Sequence, residues 1–266
     1  MNDLNKLCSE VQQIARNIGD FLRTERENFK HISIEEKSAH NYVTNIDRES
    51  EQRLVKCLSD LLPDSGFIAE EGSATRNGER YCWVIDPLDG TTNFIHNNAP
   101  YCVSIALTDE RDILLGVVYE VCRDECFHAC RDGKAWLNDK ELHVTETDSI
   151  DKAFIALGFP YSFDAYKPMA VHLVNRLYGH AKGCRLQGSA AAELCYVAAG
   201  RFDARIEACL GPWDVAAGGL ILMQAGGRLT NFAGENKWQT GETVLASNGK
   251  IHDHLLDLIK EVELRF

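Results

Sequence analysis

The sequence predicts an α+β first half, residues 1–148, and an alternating α/β second half, residues 149–266, joined as two lobes around one cleft. Three observations carry this. Two amphipathic helical patterns precede a run of short β-type segments separated by turn residues, strand and helix patterns alternate after Asp148, and no low-complexity linker divides the chain. With 266 residues, 45% hydrophobic and 26% charged, a large core is available, yet the length falls short of two comfortable average domains.

Leu4, Leu7, Val11, Ile14, Ala15, Ile18, Phe21 and Leu22 recur at spacings of three and four, which predicts an amphipathic helix. The polar stretch Glu35 to Tyr42 reads as a loop or a weak hairpin. Thr44 or Asn45 offers a cap for a second helix carrying Ile46, Leu54, Val55, Leu58 and Leu61, ended by Pro63-Asp64. Gly66 to Ala69 is a short strand running into Glu70-Glu71-Gly72, and Ser73 to Arg80 is a polar loop before the apolar strand Tyr81 to Ile85. Tyr101 to Leu107, Leu114 to Val121, Glu125 to Cys130 and Lys134 to Leu137 are β-type runs broken by turn residues, as in an antiparallel meander. After Asp148 come a strand at Ala153 to Leu157, helices at Met169 to Tyr178 and Ala190 to Ala199, and a strand at Phe202 to Glu207. A buried helix at Ala216 to Ala225, stopped by Gly226-Gly227, precedes a strand at Thr243 to Ala246 and a final helix from Ile251.

A net charge of −12 argues against a broad electrostatic grip on nucleic acid, which rests on clustered Lys and Arg. An anionic substrate must then be held by metal ions or oriented amides. No apolar stretch approaches the roughly 20 residues that span a bilayer, and Met1-Asn2-Asp3-Leu4 does not open a secretory signal, so no membrane partner and a cytoplasmic location are expected. The ten cysteines then read as reduced thiols. Cys122, Cys126 and Cys130 recur every four residues, but their segment alternates like a strand and no CxxC pair supports a soft-metal site.

The apolar strand ends in Asp86-Pro87-Leu88-Asp89-Gly90-Thr91-Thr92, which sets two carboxylates three residues apart on a sharp turn. Carboxylates that close repel unless a cation lies between them. Proline fixes one backbone angle and Asp-Gly favours a tight turn, so hard oxygens converge on one point suited to Mg²⁺ and, behind it, phosphate. Glu70-Glu71, Trp213-Asp214 and Asp47 add further acids beside strand ends or helix starts. Asp214 also reads as an N-cap on the helix from Val215, and the two roles are compatible. Asp47 alternatively serves as an early-helix carboxylate favoured by the macrodipole, Glu207 as a surface charge, and Trp213 as a core anchor.

At these residues the chain resembles the inositol monophosphatase family, part of the Mg²⁺-dependent, Li⁺-sensitive phosphatase superfamily that includes fructose-1,6-bisphosphatases. The first family signature is met by Trp83-Val84-Ile85-Asp86-Pro87-Leu88-Asp89-Gly90-Thr91-Thr92-Asn93-Phe94 and the second by Trp213-Asp214-Val215-Ala216-Ala217-Gly218. Gly188-Ser189-Ala190-Ala191 and Gly200-Arg201-Phe202-Asp203 stand where such proteins have substrate-side segments, and Val43-Thr44-Asn45-Ile46-Asp47 resembles a Thr-x-x-Asp element. The resemblance implies a layered α/β/α/β/α sandwich. It also implies that Glu70, Asp86 and the Leu88 carbonyl hold one Mg²⁺, that Asp86, Asp89 and Asp214 hold a second, and that a third, weaker ion rests on Glu70 through water. Asp86 would be the bridge.

From that resemblance, Asp47, Glu70 and Thr91 are the expected catalytic residues: one ion lowers the pKa of a water that Thr91 and Asp47 orient and deprotonate, and the second stabilises the departing alkoxide. The N–H groups of Gly90 and Thr91 would meet phosphate oxygens if a helix begins there. Asp89, Gly90, Thr91, Gly188, Ser189, Ala190 and Glu207 would face a phosphorylated polyol, with inositol 1-phosphate the expected substrate. Histidinol phosphate, fructose 1,6-bisphosphate, NADP⁺ or another nucleotide phosphate are the alternatives, as is a regulatory binding protein, since some bacterial members join transcription complexes. The family's habit implies a homodimer.

Overall fold

The computed structural model of the protein describes residues 4–28, 34–38, 41–72, 80–160 and 165–262. The predicted loop at Ser73 to Arg80 lies, except for Arg80, outside these. Helix α1 (Leu4–Glu27) buries Leu7, Val11, Ala15, Ile18 and Leu22 on one stripe. Strands β1 (Ile34–Ser38) and β2 (Asn41–Thr44) pair antiparallel, so the stretch read as a loop or weak hairpin is the hairpin. Helix α2 (Asn45–Leu61) starts at Thr44, whose hydroxyl accepts the Ile46 and Asp47 N–H groups while the Asp47 carboxylate accepts the Thr44 N–H, a reciprocal capping box.

Strands β3 (Gly66–Ala69), β4 (Cys82–Asp89), β5 (Cys102–Thr108), β6 (Ile113–Glu120), β7 (Glu125–Cys130), β8 (Ala135–Leu137) and β9 (Lys140–Glu141) form a seven-stranded sheet in sequence order, with the short helix α3 (Thr91–Ile95) between β4 and β5. Only β3 and β4 run parallel among these neighbours. Strands β10 (Phe154–Leu157), β11 (Gly183–Arg185), β12 (Ala204–Ala208), β13 (Arg228–Thr230) and β14 (Thr243–Ser247) form the second sheet, in the order β11-β10-β12-β14-β13. Helices α4 (Lys167–Leu177), α5 (Ala190–Ala198), α6 (Pro212–Gln224) and α7 (His252–Lys260) complete the second half. The short strands β9, β11 and β13 span two or three residues, too few for an alternating pattern to register in the sequence.

Alternation along the strands stacks these elements into five layers. Val103, Ile105 and Leu107 of β5 and Leu115, Val117 and Tyr119 of β6 pack against Val11, Ile18 and Leu22 of α1 and Leu54 and Leu58 of α2. The intervening Cys102, Ala106 and Val118 face the opposite way, into a core with Ala191, Leu194 and Cys195 of α5 and Ala217, Leu220 and Ile221 of α6. That same core takes Ala156, Val244 and Ala246 from the second sheet. Ile155, Leu157, Ile206 and Leu245 point away from it and bury Met169 and Leu173 of α4 and Leu255 and Ile259 of α7. The result is the α/β/α/β/α sandwich that the resemblance implied. At Gly116 on β6, an added Cβ would fall 2.7 Å from the Ala217 carbonyl, so glycine there lets α6 lie directly on the sheet.

All ten cysteines are free thiols, and Cys126 and Cys130 sit on β7 as strand residues. No helix among the described residues is long and apolar enough to cross a membrane.

His252 begins α7 fully buried, with Nδ1 2.8 Å from Ser247 Oγ and Nε2 3.0 Å from Thr230 Oγ1. Burial pushes its pKa down to about 4, so the folded state stays neutral where the unfolded chain, titrating near 6.5, takes up a proton. The unfolded state therefore binds more protons between about pH 6.5 and 4, and this residue's share of stability is lost as pH falls through that window. His252→Asn, which cannot ionise, is expected to flatten that part of the decline in chemical-denaturation midpoints; an unchanged slope would contradict the assignment.

Candidate active site

Strand β4 ends in a bulge. Asp86 lies opposite Ser104 and Asp89 opposite Cys102, so β4 takes three steps where β5 takes two. In a regular strand, residues three apart point to opposite faces; the extra residue returns Asp89 to the face of Asp86. Pro87 occupies the bulge, where its missing N–H interrupts no ladder bond. That face looks toward α5 and α6, and Ser104 Oγ donates to the Trp213 carbonyl at 3.0 Å, holding the first turn of α6 over the bulge.

Asp214 completes the group from that turn. Helix α6 begins at Pro212, not at Val215, because proline is pre-organised for the first helical position. Asp214 is therefore not the N-cap but the third helical residue, where its Oδ2 accepts the Gly211 N–H at 2.6 Å. Glu70 follows β3, whose parallel register sets Ala69 opposite Ile85, so Glu70 comes level with Asp86 and its carboxyl hydrogen-bonds there. Ligand oxygens of Asp86, Asp89 and Asp214 lie within 4.8 Å of one another. Burial, then repulsion from Glu70, Asp89 and Asp214, raises the Asp86 pKa well above the usual carboxylate range. Burial and the charges of Asp89 and Glu70 do the same to Asp214.

Asp89 also acts across the molecule. Its carboxylate accepts the N–H groups of Ala190 and Ala191 at 3.1 and 2.8 Å and the Ser189 hydroxyl at 2.6 Å. It caps α5 from another strand, in place of Ser189, whose own side chain makes no capping bond. Beside the cluster, Thr91 Oγ1 lies 2.9 Å from Asp47 Oδ1 and 3.1 Å from the Leu88 carbonyl. Asp47 is fully buried, and burial raises its pKa, against hydrogen bonds from Thr44 and Thr91. Asp47 thus serves both as helix-cap carboxylate and as the partner of Thr91.

A cleft of about 500 Å³ opens over these groups. Glu70, Asp86, Leu88, Asp89, Gly90, Thr91 and Asp214 line it, together with Gly188, Ser189, Ala190 and Glu207. Asp47 is set behind Thr91 and is not itself in the wall. Gly90 precedes α3 as its N-cap, in the left-handed region at φ 91°. Glu207 is in the wall rather than on the open surface, its side chain 16% exposed. Sequence reasoning missed Glu193, which also lines the cleft, and Arg205, which pairs with it at 2.9 Å. The available signal was a lone acid in the apolar helix Ala190–Ala198 and a lone base in the strand Ala204–Ala208.

The donors at the carboxylate cluster are all hard oxygens, and no Lys, Arg or His is among the described residues lining the cleft. Hard carboxylate oxygens from Asp86, Asp89 and Asp214 converging on one point fit a divalent cation of the Mg²⁺ type.

A five-layered sandwich with an acidic cluster between its two sheets defines a metal-dependent phosphatase class. The chain belongs to the inositol monophosphatase family, whose description matches residues 3–264. It is 37% identical over 255 residues to the Nus factor SuhB of Pseudomonas aeruginosa, covering 92% of this chain and 93% of that one. Among solved structures, the extragenic suppressor protein suhB of Bartonella henselae superposes with a TM-score of 0.91 at 32% identity, covering 96% of this chain and 98% of that one. An inositol monophosphatase from Anabaena (Nostoc) gives 0.84 at 31% identity, covering 98% of each chain.

The raised carboxylates set a pH signature. Groups with folded pKa values above their unfolded ones stabilise the protein only at low pH, and that share is lost as pH rises from about 4 through the folded values. Cation binding relieves the repulsion, so the rise in melting temperature caused by Mg²⁺ over EDTA is expected to grow between pH 4.5 and 8. At a Mg²⁺ concentration 100-fold above Kd, the stabilisation is about 2.7 kcal/mol. Melting temperatures unaffected by Mg²⁺ at every pH would contradict a cation site here.

Proposed function

We propose that the protein is a Mg²⁺-dependent phosphomonoesterase that hydrolyses inositol 1-phosphate to inositol and phosphate. The observation that carries this is the juxtaposition of the Asp86, Asp89 and Asp214 oxygens with the Thr91–Asp47 pair. In this reading residues 1–148 supply most of the cation site, and residues 149–266 complete it with Asp214 and add the alcohol-binding wall. Glu70, Asp86 and the Leu88 carbonyl would hold one Mg²⁺, and Asp86, Asp89 and Asp214 a second. Bound there, the ions would make a water acidic near neutral pH and neutralise charge on the ester oxygen.

The chain's own groups account for the proton. Thr91 donates its hydroxyl hydrogen to Asp47 Oδ1, which leaves lone pairs on Oγ1 to accept from a water. As the water oxygen bonds to phosphorus and the ester P–O bond breaks, the water's proton passes to Thr91 and the Thr91 proton to Asp47. Burial favours the protonated form of Asp47, which suits an acceptor. The alcohol leaves with a proton from solvent. The N–H groups of Gly90 and Thr91 are the candidates for the phosphate oxygens, and the Glu207 carboxylate for free hydroxyls of the alcohol.

The lining also bears on substrate. The Glu207 carboxylate in the wall is suited to accept from free hydroxyls of a leaving group, which supports a monophosphate of a neutral polyol. A phosphate-release assay with Mg²⁺ across fructose 1,6-bisphosphate, NADP⁺, histidinol phosphate and inositol 1-phosphate is expected to rank the last among the best. If it is among the worst, the substrate reading fails while the hydrolase reading stands.

A second reading comes from the relatives named Nus factor SuhB: a binding role in transcription alongside hydrolysis. Thr91→Ala separates the two in cells, because it removes the proton path without touching the carboxylate cluster; a binding role would survive it. In vitro, Asp47→Asn replaces the carboxylate that takes up the proton with an amide that cannot, and is expected to lower kcat by roughly 10²- to 10⁴-fold. A change under threefold would remove Asp47 from the mechanism.

A further inference from the structure

Arg205 is the one Lys or Arg among the described residues that is wholly shielded from solvent. A guanidinium stripped of water must be paired, and this one is paired twice. Its Nε donates to Glu193 Oε2 at 2.9 Å, and its Nη2 meets Glu207 Oε2. Residues 205 and 207 share a face of β12 by strand alternation, so the fork reaches its second partner without leaving the strand. The other oxygen of Glu193 accepts the Gln187 N–H at 2.9 Å, which ties the arrangement to the segment entering Gly188.

Both carboxylates line the cleft, whereas Arg205 lies behind its wall. Glu207 is confined from the opposite side as well. A Cβ at Gly158 would fall 2.1 Å from the Glu207 carboxyl carbon, so the carboxylate rests on bare glycine backbone. Held between that backbone and the guanidinium, it has little freedom to turn.

We propose that Arg205 is a positioning residue for the leaving group: by coupling Glu207 to Glu193, it keeps the Glu207 carboxylate aimed at the free hydroxyls of an alcohol phosphate. The proposal rests on the phosphatase reading and on Glu207 as its hydroxyl acceptor. It makes selection among phosphate monoesters depend on a buried base that never touches substrate.

The test compares inositol 1-phosphate with p-nitrophenyl phosphate, which has no hydroxyl on its leaving group to recognise. Arg205→Lys keeps the charge and loses the two-pronged geometry. The ratio of kcat/KM for inositol 1-phosphate to that for p-nitrophenyl phosphate is expected to fall roughly tenfold or more, the loss appearing in KM for inositol 1-phosphate. Glu207→Gln is expected to lower the same ratio, and the double variant to lower it no further, since both remove one contact. Should Arg205→Lys fail to fold by circular dichroism, Glu193→Gln/Arg205→Met, which removes the buried charges together, takes its place. An unchanged ratio, or effects of Arg205 and Glu207 that simply add, overturns the proposal. Wild-type protein inert toward both esters would instead overturn the phosphatase reading itself.

Discussion

Crowded like charge is the constraint around which this protein is built. Asp86, Asp89 and Asp214, joined by Glu70, converge beside the cleft, and burial and repulsion there disfavour the ionised forms of Asp86 and Asp214. A chain accepts such an arrangement when the surrounding structure over-determines it and a ligand relieves it. Here the determinants are local and rigid: a proline bulge at the end of a central strand, a parallel neighbour that brings Glu70 level, and the first turn of a buried helix. Asp86 and Asp89 stand on a strand and Asp214 on a helix, and Glu70 directly follows β3.

The layering supplies that rigidity. The core formed by α5, α6 and the inner faces of both sheets is continuous, so the halves of the chain do not meet as two separate globules. Asp89 reaches across this junction to cap α5, and Ser104 reaches across it to the start of α6. The same helices that fill the middle layer thus have their starts fixed by groups at the site. Stability and site geometry share those bonds, which explains why so many polar contacts are found in an otherwise apolar middle layer.

Much of this was legible in the sequence. The complete string from Trp83 to Phe94 and the second from Trp213 to Gly218 are specific enough to place three acids, Asp86, Asp89 and Asp214, together, and the helical and alternating patterns carried the order of the longer elements. What escaped is of two kinds. Strands β9, β11 and β13 are too short to carry a period. The buried partners are non-local: nothing adjacent to Arg205 announces that Glu193, on a helix, will neutralise it, and the convergence of Asp86 and Asp89, read as a sharp turn, is made by a bulge within β4. The helix starting at Pro212 moved Asp214 from a cap to the first turn, a shift of three residues that the apolar run from Val215 concealed.

The most direct measurement is anomalous diffraction from crystals grown with Mn²⁺, a stand-in for Mg²⁺, together with phosphate. The predicted result is anomalous density bounded by Asp86, Asp89 and Asp214, with a further peak between Asp86, Glu70 and the Leu88 carbonyl, and phosphate lying over both. Carboxylates in their present positions with no metal density between them at saturating Mn²⁺ would contradict the claim that a cation is what their crowding is for.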